Sequence, residues 1–541
     1  MPSLRSDVYE GQSQQELGRT RGLEGSGLCA VHTALLFAIT VSIGACSVGP
    51  DYTRPTAPVS NNFKELKGWK IASPLDQMER GDWWSVYGDA TLTSLLRKVD
   101  IGNQNVVSAE AAFRQSVAMV KQARAGLFPA LNFSYTGNRW HEGEDAVDAS
   151  FGVPLPSVTQ TTVNVQPQLS WEADVWGKIR RQVQSNVSNA QAMAADYANA
   201  RLSAQTQLAL AYFNLRAADS LQRLLNETVE TYSQTYEIAL DRYNAGAASQ
   251  YDVATAKAQV ETARAQAVNV GVQRARYEHA IAVLIGLPPA ELSIGSAPLA
   301  NRVPLIPPSV PSALLERRPD IAAAERTIAS QNAIIGVAVA AYFPDLSLAG
   351  GIGAGTASFA SFGYMGASAF PIAVGNEVWS VGGNLAEVIF DAGLRREKVA
   401  AALASYYQSV AIYRQTVLTA LQQVEDQLSN LRILAQQAHT LDKAVALSRK
   451  ALDITMTRYK AGALDFTAVV QAQQVLLSNE VNSLTIRQNR FLASVSLIQA
   501  LGGGWNSSWL PDAHWLKHWK TCVSVRDTVR GRVDPEMPTC L

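Results

Sequence analysis

The segment Arg242–Gln259, RYNAGAASQYDVATAKAQ, returns as Arg458–Gln474, RYKAGALDFTAVVQAQQ. Tyr243 and Tyr459 lie 216 residues apart, and so do Gly246 and Gly462, Gly286 and Gly502, and Gly177 and Gly393. Further upstream, AEAAFRQSVAMVKQARAGLFP from Ala109 and AERTIASQNAIIGVAVAAYFP from Ala324 repeat at an offset of 215. Blocks recurring in one order with almost no drift mean two copies of one structural unit. Each copy holds a very long stretch with neither proline nor glycine, Lys178 to Tyr243 and Leu394 to Tyr459. Each reads as a helix roughly 100 Å long, far beyond the ordinary globular range. Leu221, Leu225, Val229, Tyr232, Tyr236, Ala239 and Tyr243 recur at heptad-like spacing and predict a packing seam.

Shorter helices must cover these two. In the first copy the spacing predicts one from about Thr91 to Phe128 and one from Ser249 to Ile285; in the second, from about Ser312 to Ala341 and from Asp465 to Leu501. End to end, two short helices match one long one, which predicts a long helix beside two stacked short ones, twice per chain. Gly246 and Gly462 then mark two hairpin tips, where a helix ends in a residue of positive φ.

Where each helical block breaks, short segments alternate apolar and polar residues. They contain Leu131, Phe133 and Tyr135; Val163, Val165, Pro167, Leu169 and Trp171; Leu346, Leu348 and Ile352; and Trp379, Val381 and Leu385. Four strands of about ten residues, each with one apolar face, suit a transmembrane barrel. A soluble sandwich would show the same alternation, but four strands cannot enclose a core alone. Nor can they close a barrel, since the smallest have about eight strands. Open edges are not tolerated in lipid, so the chain must oligomerise. Strand count alone allows a dimer of eight or a trimer of twelve, and an aqueous pore favours the larger.

Lys plus Arg and Asp plus Glu balance at 46 each, so no bulk charge recruits nucleic acid. Residues 1–45 read as an export signal: Arg19 and Arg21, then an apolar run, then small residues before Cys46. Ile43-Gly44-Ala45-Cys46 resembles the bacterial lipoprotein box, which implies a lipidated N-terminal Cys46. By the same resemblance Ser47 implies sorting to the outer membrane. After position 46 no run is apolar and long enough for a transmembrane helix. Cys522 and Cys540 lie in the final stretch, where an oxidising compartment would let them pair.

Four stretches together, CSVGPDYTRP at Cys46, GDWWSVYGDATLTSLL at Gly81, LLERRPDIAAAERTIASQNAIIGVAVAAYFPDLSLAGG at Leu314 and ALGGGW at Ala500, resemble the TolC/OprM outer-membrane factor family, nearest its NodT-like lipoprotein branch. The resemblance covers about Cys46 to Trp505. It implies an α+β membrane protein in which a homotrimer forms a 12-stranded transmembrane β-barrel, four strands per chain, continued by a long periplasmic α-helical barrel. It implies a passive duct for small molecules such as drugs or toxic and aromatic compounds. The duct is fed by an inner-membrane pump of the resistance-nodulation-division type through a periplasmic adaptor. The adaptor contacts implied are Arg242, Tyr243 and Gly246 at one tip and Arg458, Tyr459 and Gly462 at the other. Asp252 and Asp465 are candidate gate acids, although Ala468 and Gln471 stand where the family often has acids in the second copy. Either could instead be an ordinary helix-start carboxylate favoured by the helix dipole. No cofactor is implied beyond the lipid on Cys46.

On this reading the chain divides into a signal at 1–45, an extended lipidated segment at 46–90, a first repeat at 91–300, a second at 301–505 and a divergent tail at 506–541. The tail lies outside the resemblance and reads as disordered. Its His514, His518 and Cys522 share a helical spacing, but no fourth ligand accompanies them and no metal is assigned. Phosphate-loop, HExxH and GxSxG motifs are all missing, which argues against an enzyme. A coiled-coil scaffold would have no use for alternating strands, whereas a duct for protein secretion would look almost the same.

Overall fold

The computed structural model describes residues 47–60, 62–65, 82–142, 158–304, 306, 314–362 and 377–518. Cys46, Cys522 and Cys540 lie outside them. In chain order the main elements are α1 (Ala90–Gly102), α2 (Gln104–Ala125), β1 (Ala130–Glu142), β2 (Val158–Ala173), α3 (Lys178–Asn244) and α4 (Gln250–Leu284). The second copy supplies α5 (Leu314–Arg317), α6 (Pro319–Ala340), β3 (Asp345–Phe362), β4 (Glu377–Ala386), α7 (Leu394–Lys460) and α8 (Phe466–Ala500), and α9 (Ala513–His518) follows.

The long helices α3 and α7 are 67 residues each. Both start at a glycine in the left-handed region, Gly177 at φ +80° and Gly393 at φ +93°. α3 packs against α2 and α6 over one half and α4 over the other; α7 packs against α6 and α8. The expected seam is buried at Leu225, Tyr232 and Ala239 and half-buried at Leu221, Val229 and Tyr236, while Tyr243 at its end is exposed. No described helix is long and apolar enough to cross a membrane.

The four strands form one antiparallel sheet in the order β1-β2-β3-β4. Register keeps the apolar residues on one face: Leu131 lies opposite Leu169, Trp171 opposite Leu348, and Ile352 opposite Trp379. That face is bare, with Leu131, Phe133, Ile352, Trp379 and Val381 each at least 70% exposed. Asn132, Gln168, Ser170, Ser347 and Asn384 take the other face. β1, β2 and β3 run to 13, 16 and 18 residues rather than about ten. Pairing continues past the apolar band to Glu142 opposite Val158 and Val158 opposite Phe362.

Two helical expectations change. The helix expected from Thr91 onward is broken at Asn103. Its side-chain oxygen accepts from Asn105 N at 3.0 Å and Val106 N at 3.2 Å, capping α2, and its Nδ2 donates to Leu284 O at 2.8 Å. The second copy breaks likewise, between α5 and α6 at Pro319. Both breaks receive the end of a neighbouring helix. A Cβ on Gly286 would lie 2.1 Å from Gly102 O, and one on Gly502 would lie 2.0 Å from Arg317 O. These glycines recur at the repeat offset because backbone meets backbone there. Around the joint lies the main core, with Trp84, Leu92, Leu96, Leu208, Tyr212, Ile321, Tyr413 and Phe491 almost fully buried.

The start of the tail is the other correction; residues 519–541 lie outside the described residues. Residues 506–518 are ordered against α2 and α3, because they carry apolar groups that the helices bury. Leu516 is fully buried among Val117, Val120, Val183 and Val187, and the Trp515 ring stacks on Phe113. Gln191 Nε2 donates to Pro511 O at 2.9 Å. The N-terminal segment is likewise held, from Val48 to Glu65, by the described helices. Val48 N donates to Trp176 O, and Arg181 donates to Val48 O, Gly49 O and Asp51. Tyr52 donates to Glu325, and Glu425 accepts from Lys64 N and Glu65 N.

Two stability tests follow from these contacts. Gly286→Ala combines positive φ with a methyl driven into a carbonyl and should cost more than about 2 kcal/mol. Gly246→Ala, at φ +74° with nothing within 4 Å, should cost only about 1 kcal/mol. Thermal unfolding in detergent compares them, and equal shifts would refute the backbone joint. Leu516→Asp should release α9, read as faster tryptic cleavage after Lys517; wild-type resistance in the variant would count against docking of the tail.

Candidate docking and gating site at the helix tips

Both tips are built alike. In the first, Gly246 N donates to Tyr243 O at 2.9 Å and Ala247 N to Arg242 O at 2.7 Å. In the second, Gly462 N donates to Tyr459 O at 2.9 Å and Ala463 N to Arg458 O at 2.9 Å. Gly246 and Gly462 have φ of +74° and +77°. The six-to-one bond closing onto a left-handed glycine satisfies the last carbonyls of each long helix.

The side chains break this symmetry. Arg242 reaches from the first tip to the second, where Nη1 donates to Tyr459 O at 2.5 Å and Lys460 O at 3.1 Å. These are the last two residues of α7, so a guanidinium sits where the helix dipole is negative and carbonyls lack partners. Its carbon lies 4.6 Å from the centre of the Tyr459 ring. Tyr459 is 2% exposed, and its ring lies 5.6 Å from that of Phe466. Burial pushes its hydroxyl above the usual tyrosine value, with Arg242 opposing and Asp252 adding to the shift. Arg242, Asp252 and Tyr459 thus converge, within a small apolar cluster of Ala239, Ala256, Leu452, Phe466 and Val469. Tyr243 and Arg458 are not drawn in and remain exposed.

The two candidate acids both begin helices. Asp252 forms a capping box on α4: its Oδ2 accepts from Ser249 N at 3.1 Å, while Ser249 Oγ accepts from Asp252 N at 3.2 Å. Asp465 is the exposed N-cap of α8, without a side-chain capping bond. Ala468 and Gln471 follow on α8, half-buried and exposed. Sequence reasoning missed Phe466 and, although it started the helix at Ser249, missed the capping role of that serine. Ser249 was legible as a capping-box serine three residues before an acid, but the contact of Phe466 with Tyr459 depends on how the hairpin closes. Among the described residues no group of three or more His, Cys, Asp or Glu could hold a metal ion.

Comparison with known proteins identifies the family of the chain that carries these tips. The outer membrane efflux protein family matches residues 95–287 and 310–503, one match per repeat. The chain is 30% identical over 477 residues to outer membrane protein OprJ of Pseudomonas aeruginosa, covering 88% of this chain and 96% of that one. It is 29% identical to the pyoverdine export outer membrane protein OpmQ of the same organism, covering 87% and 97%. The solved outer-membrane channel OprN superposes with a TM-score of 0.75 at 28% identity, covering 85% of this chain and all of that one. The chain belongs to the outer membrane efflux protein family: it is the outer-membrane channel component of a tripartite efflux pump, and not an enzyme.

Proposed function

We propose that three copies of this chain close into a 12-stranded barrel continued by a barrel of α-helices, anchored by lipid on Cys46. The observation that carries this reading is that chain and sheet end on unsatisfied flanks. β1 and β4 each pair on one side only among the described residues. The helical layer runs α2-α3-α6-α7, with α3 covered on both flanks and α7 on one. On α7, Leu403, Tyr407, Ile412 and Leu418 are exposed; on α2, so are Val107 and Met119. Since α2 and α6 are equivalent helices of the two repeats, the α2 of a second copy fits the free flank of α7 as α6 fits that of α3. The same step carries β4 to the next β1. Four strands per chain then favour three copies, wide enough for an aqueous pore.

Lipid at Cys46 suits the geometry of its neighbour. Ser47 lies against Gly177, where β2 passes into α3 at the edge of the sheet. At the far end, exposed Tyr243 and Arg458, together with the turns at Gly246 and Gly462, would meet a periplasmic adaptor. That adaptor would join the duct to an inner-membrane pump of the resistance-nodulation-division type. Arg242 and Tyr459 would act inward, as a staple holding the two hairpins shut. Asp252 beside them, and Asp465, repeated threefold, would add negative charge to the closed mouth. The cargo class proposed is small molecules, in keeping with the pyoverdine export named for OpmQ.

Native mass spectrometry in detergent should give three chains per particle, and Tyr407→Lys should shift the protein to smaller species. A monodisperse wild-type monomer with native circular dichroism would end the barrel reading. Mass spectrometry of the N-terminal peptide should find Cys46 lipid-modified; an unmodified Cys46 in membrane-extracted protein would exclude the anchor. Arg242→Ala removes a charged hydrogen bond and a cation–π contact and should ease opening by about 1–2 kcal/mol. In planar bilayers the open state should then be roughly 5–30 times more frequent. Unchanged conductance would remove Arg242 from the gate.

A further inference from the structure

Behind the tips, roughly 15–20 Å along the helices, a cavity of about 170 Å³ lies where α3 meets α7 and α8. Tyr232 and Gln473 line it, on residues 7% and 2% exposed. Tyr232 Oη and Gln473 Oε1 are buried there without a hydrogen-bond partner. The amide orientation follows from its neighbour. Thr235 Oγ1 donates to Thr231 O at 3.0 Å and therefore accepts from Gln473 Nε2 at 2.8 Å, which leaves Oε1 as a free acceptor. The Tyr232 hydroxyl keeps its proton, because burial and the nearby Glu480 charge push its pKa up. One orphan needs a donor and the other offers one. A cation would satisfy the amide oxygen but not the tyrosine proton, whereas water serves both. The volume admits several water molecules, each taking about 30 Å³ in the liquid.

The surroundings give this place mechanical meaning. Toward the tips the two hairpins are joined by apolar contacts among Ala239, Leu452, Tyr459, Phe466 and Val469. Away from the tips they are joined again by Leu221, Leu225 and Leu477. Between these lies a polar spot where hydrogen bonds can be exchanged with water as helices shift, instead of apolar surface being torn apart. We propose that the cavity holds bound water bridging Tyr232 and Gln473, and that this hydrated contact is the pivot about which the α7–α8 hairpin parts from the α3–α4 hairpin. The pivot role rests on the reading of the tips as the gate.

Radiolytic hydroxyl footprinting of the intact detergent-solubilised assembly tests the water, since a buried tyrosine beside bound water is labelled and a dry one is not. Tyr212, 1% exposed and bonded to Asp89, is the internal control. Tyr232 should be modified several-fold faster; a rate as slow as that of Tyr212 overturns the proposal. The double variant Tyr232→Phe with Gln473→Leu removes both groups that hold the water and should open several-fold less often in planar bilayers. If its opening is unchanged while Arg242→Ala still promotes opening, the pivot is overturned and the gate stands. If neither variant alters opening, the gate reading falls and the pivot falls with it.

Discussion

A helix of 67 residues cannot keep itself straight and folded in water; something must cover it from end to end. This chain covers each long helix with two shorter ones that meet near its middle, and most of the architecture follows from that meeting. Where α4 ends against the α1–α2 break and α8 against the α5–α6 break, backbone touches backbone. Gly286 and Gly502 leave no room for a side chain there. Both joints adjoin the main core, which gathers Trp84, Tyr212, Tyr413 and Phe491. A rigid middle holds the sheet at one end and two hairpins at the other, so a change in the hairpins near the tips need not disturb the sheet.

The duplication was also put to unequal use. Arg216 and Arg274 share Asp219 and grip the linker between repeats, donating to Gly295 O at 2.7 Å and Ile294 O at 2.5 Å. At the repeat offset the arginines survive as Arg432 and Arg490, but Asp219 and Glu278 are replaced by Ala435 and Ser494. A half-buried cation needs a partner, and Arg432 finds it in Glu65 of the N-terminal segment. Each copy thus fastens a different crossing strand of chain. At the tips the same divergence appears: Arg242 caps the end of α7, while Arg458 stays at the surface.

Much of this was legible in advance because it depends on local rules. The absence of proline and glycine over Lys178–Tyr243 forecasts a helix that the structure extends by one residue. Alternation at Leu131, Phe133 and Tyr135 forecasts which face of β1 is apolar. The break at Asn103 was missed although Gly102-Asn103 is a helix-stop and cap signal, because the flanking residues favour helix on both sides. The start of the tail, residues 506–518, was misjudged because Leu516 and Trp515 acquire meaning only against Val117, Val187 and Phe113, which lie hundreds of residues away.

The sequence by itself determined the two-copy plan, the lengths of the long helices, the positions of both tips and the apolar face of each strand. These follow from backbone conformations and side-chain periods that a few neighbouring residues enforce. Only the tertiary structure decided that Arg242 reaches the carbonyls of Tyr459 and Lys460, that Tyr232 and Gln473 face a common cavity, and that α7 is left with an open flank. Those facts depend on how elements hundreds of residues apart are brought side by side, and no local propensity carries that information.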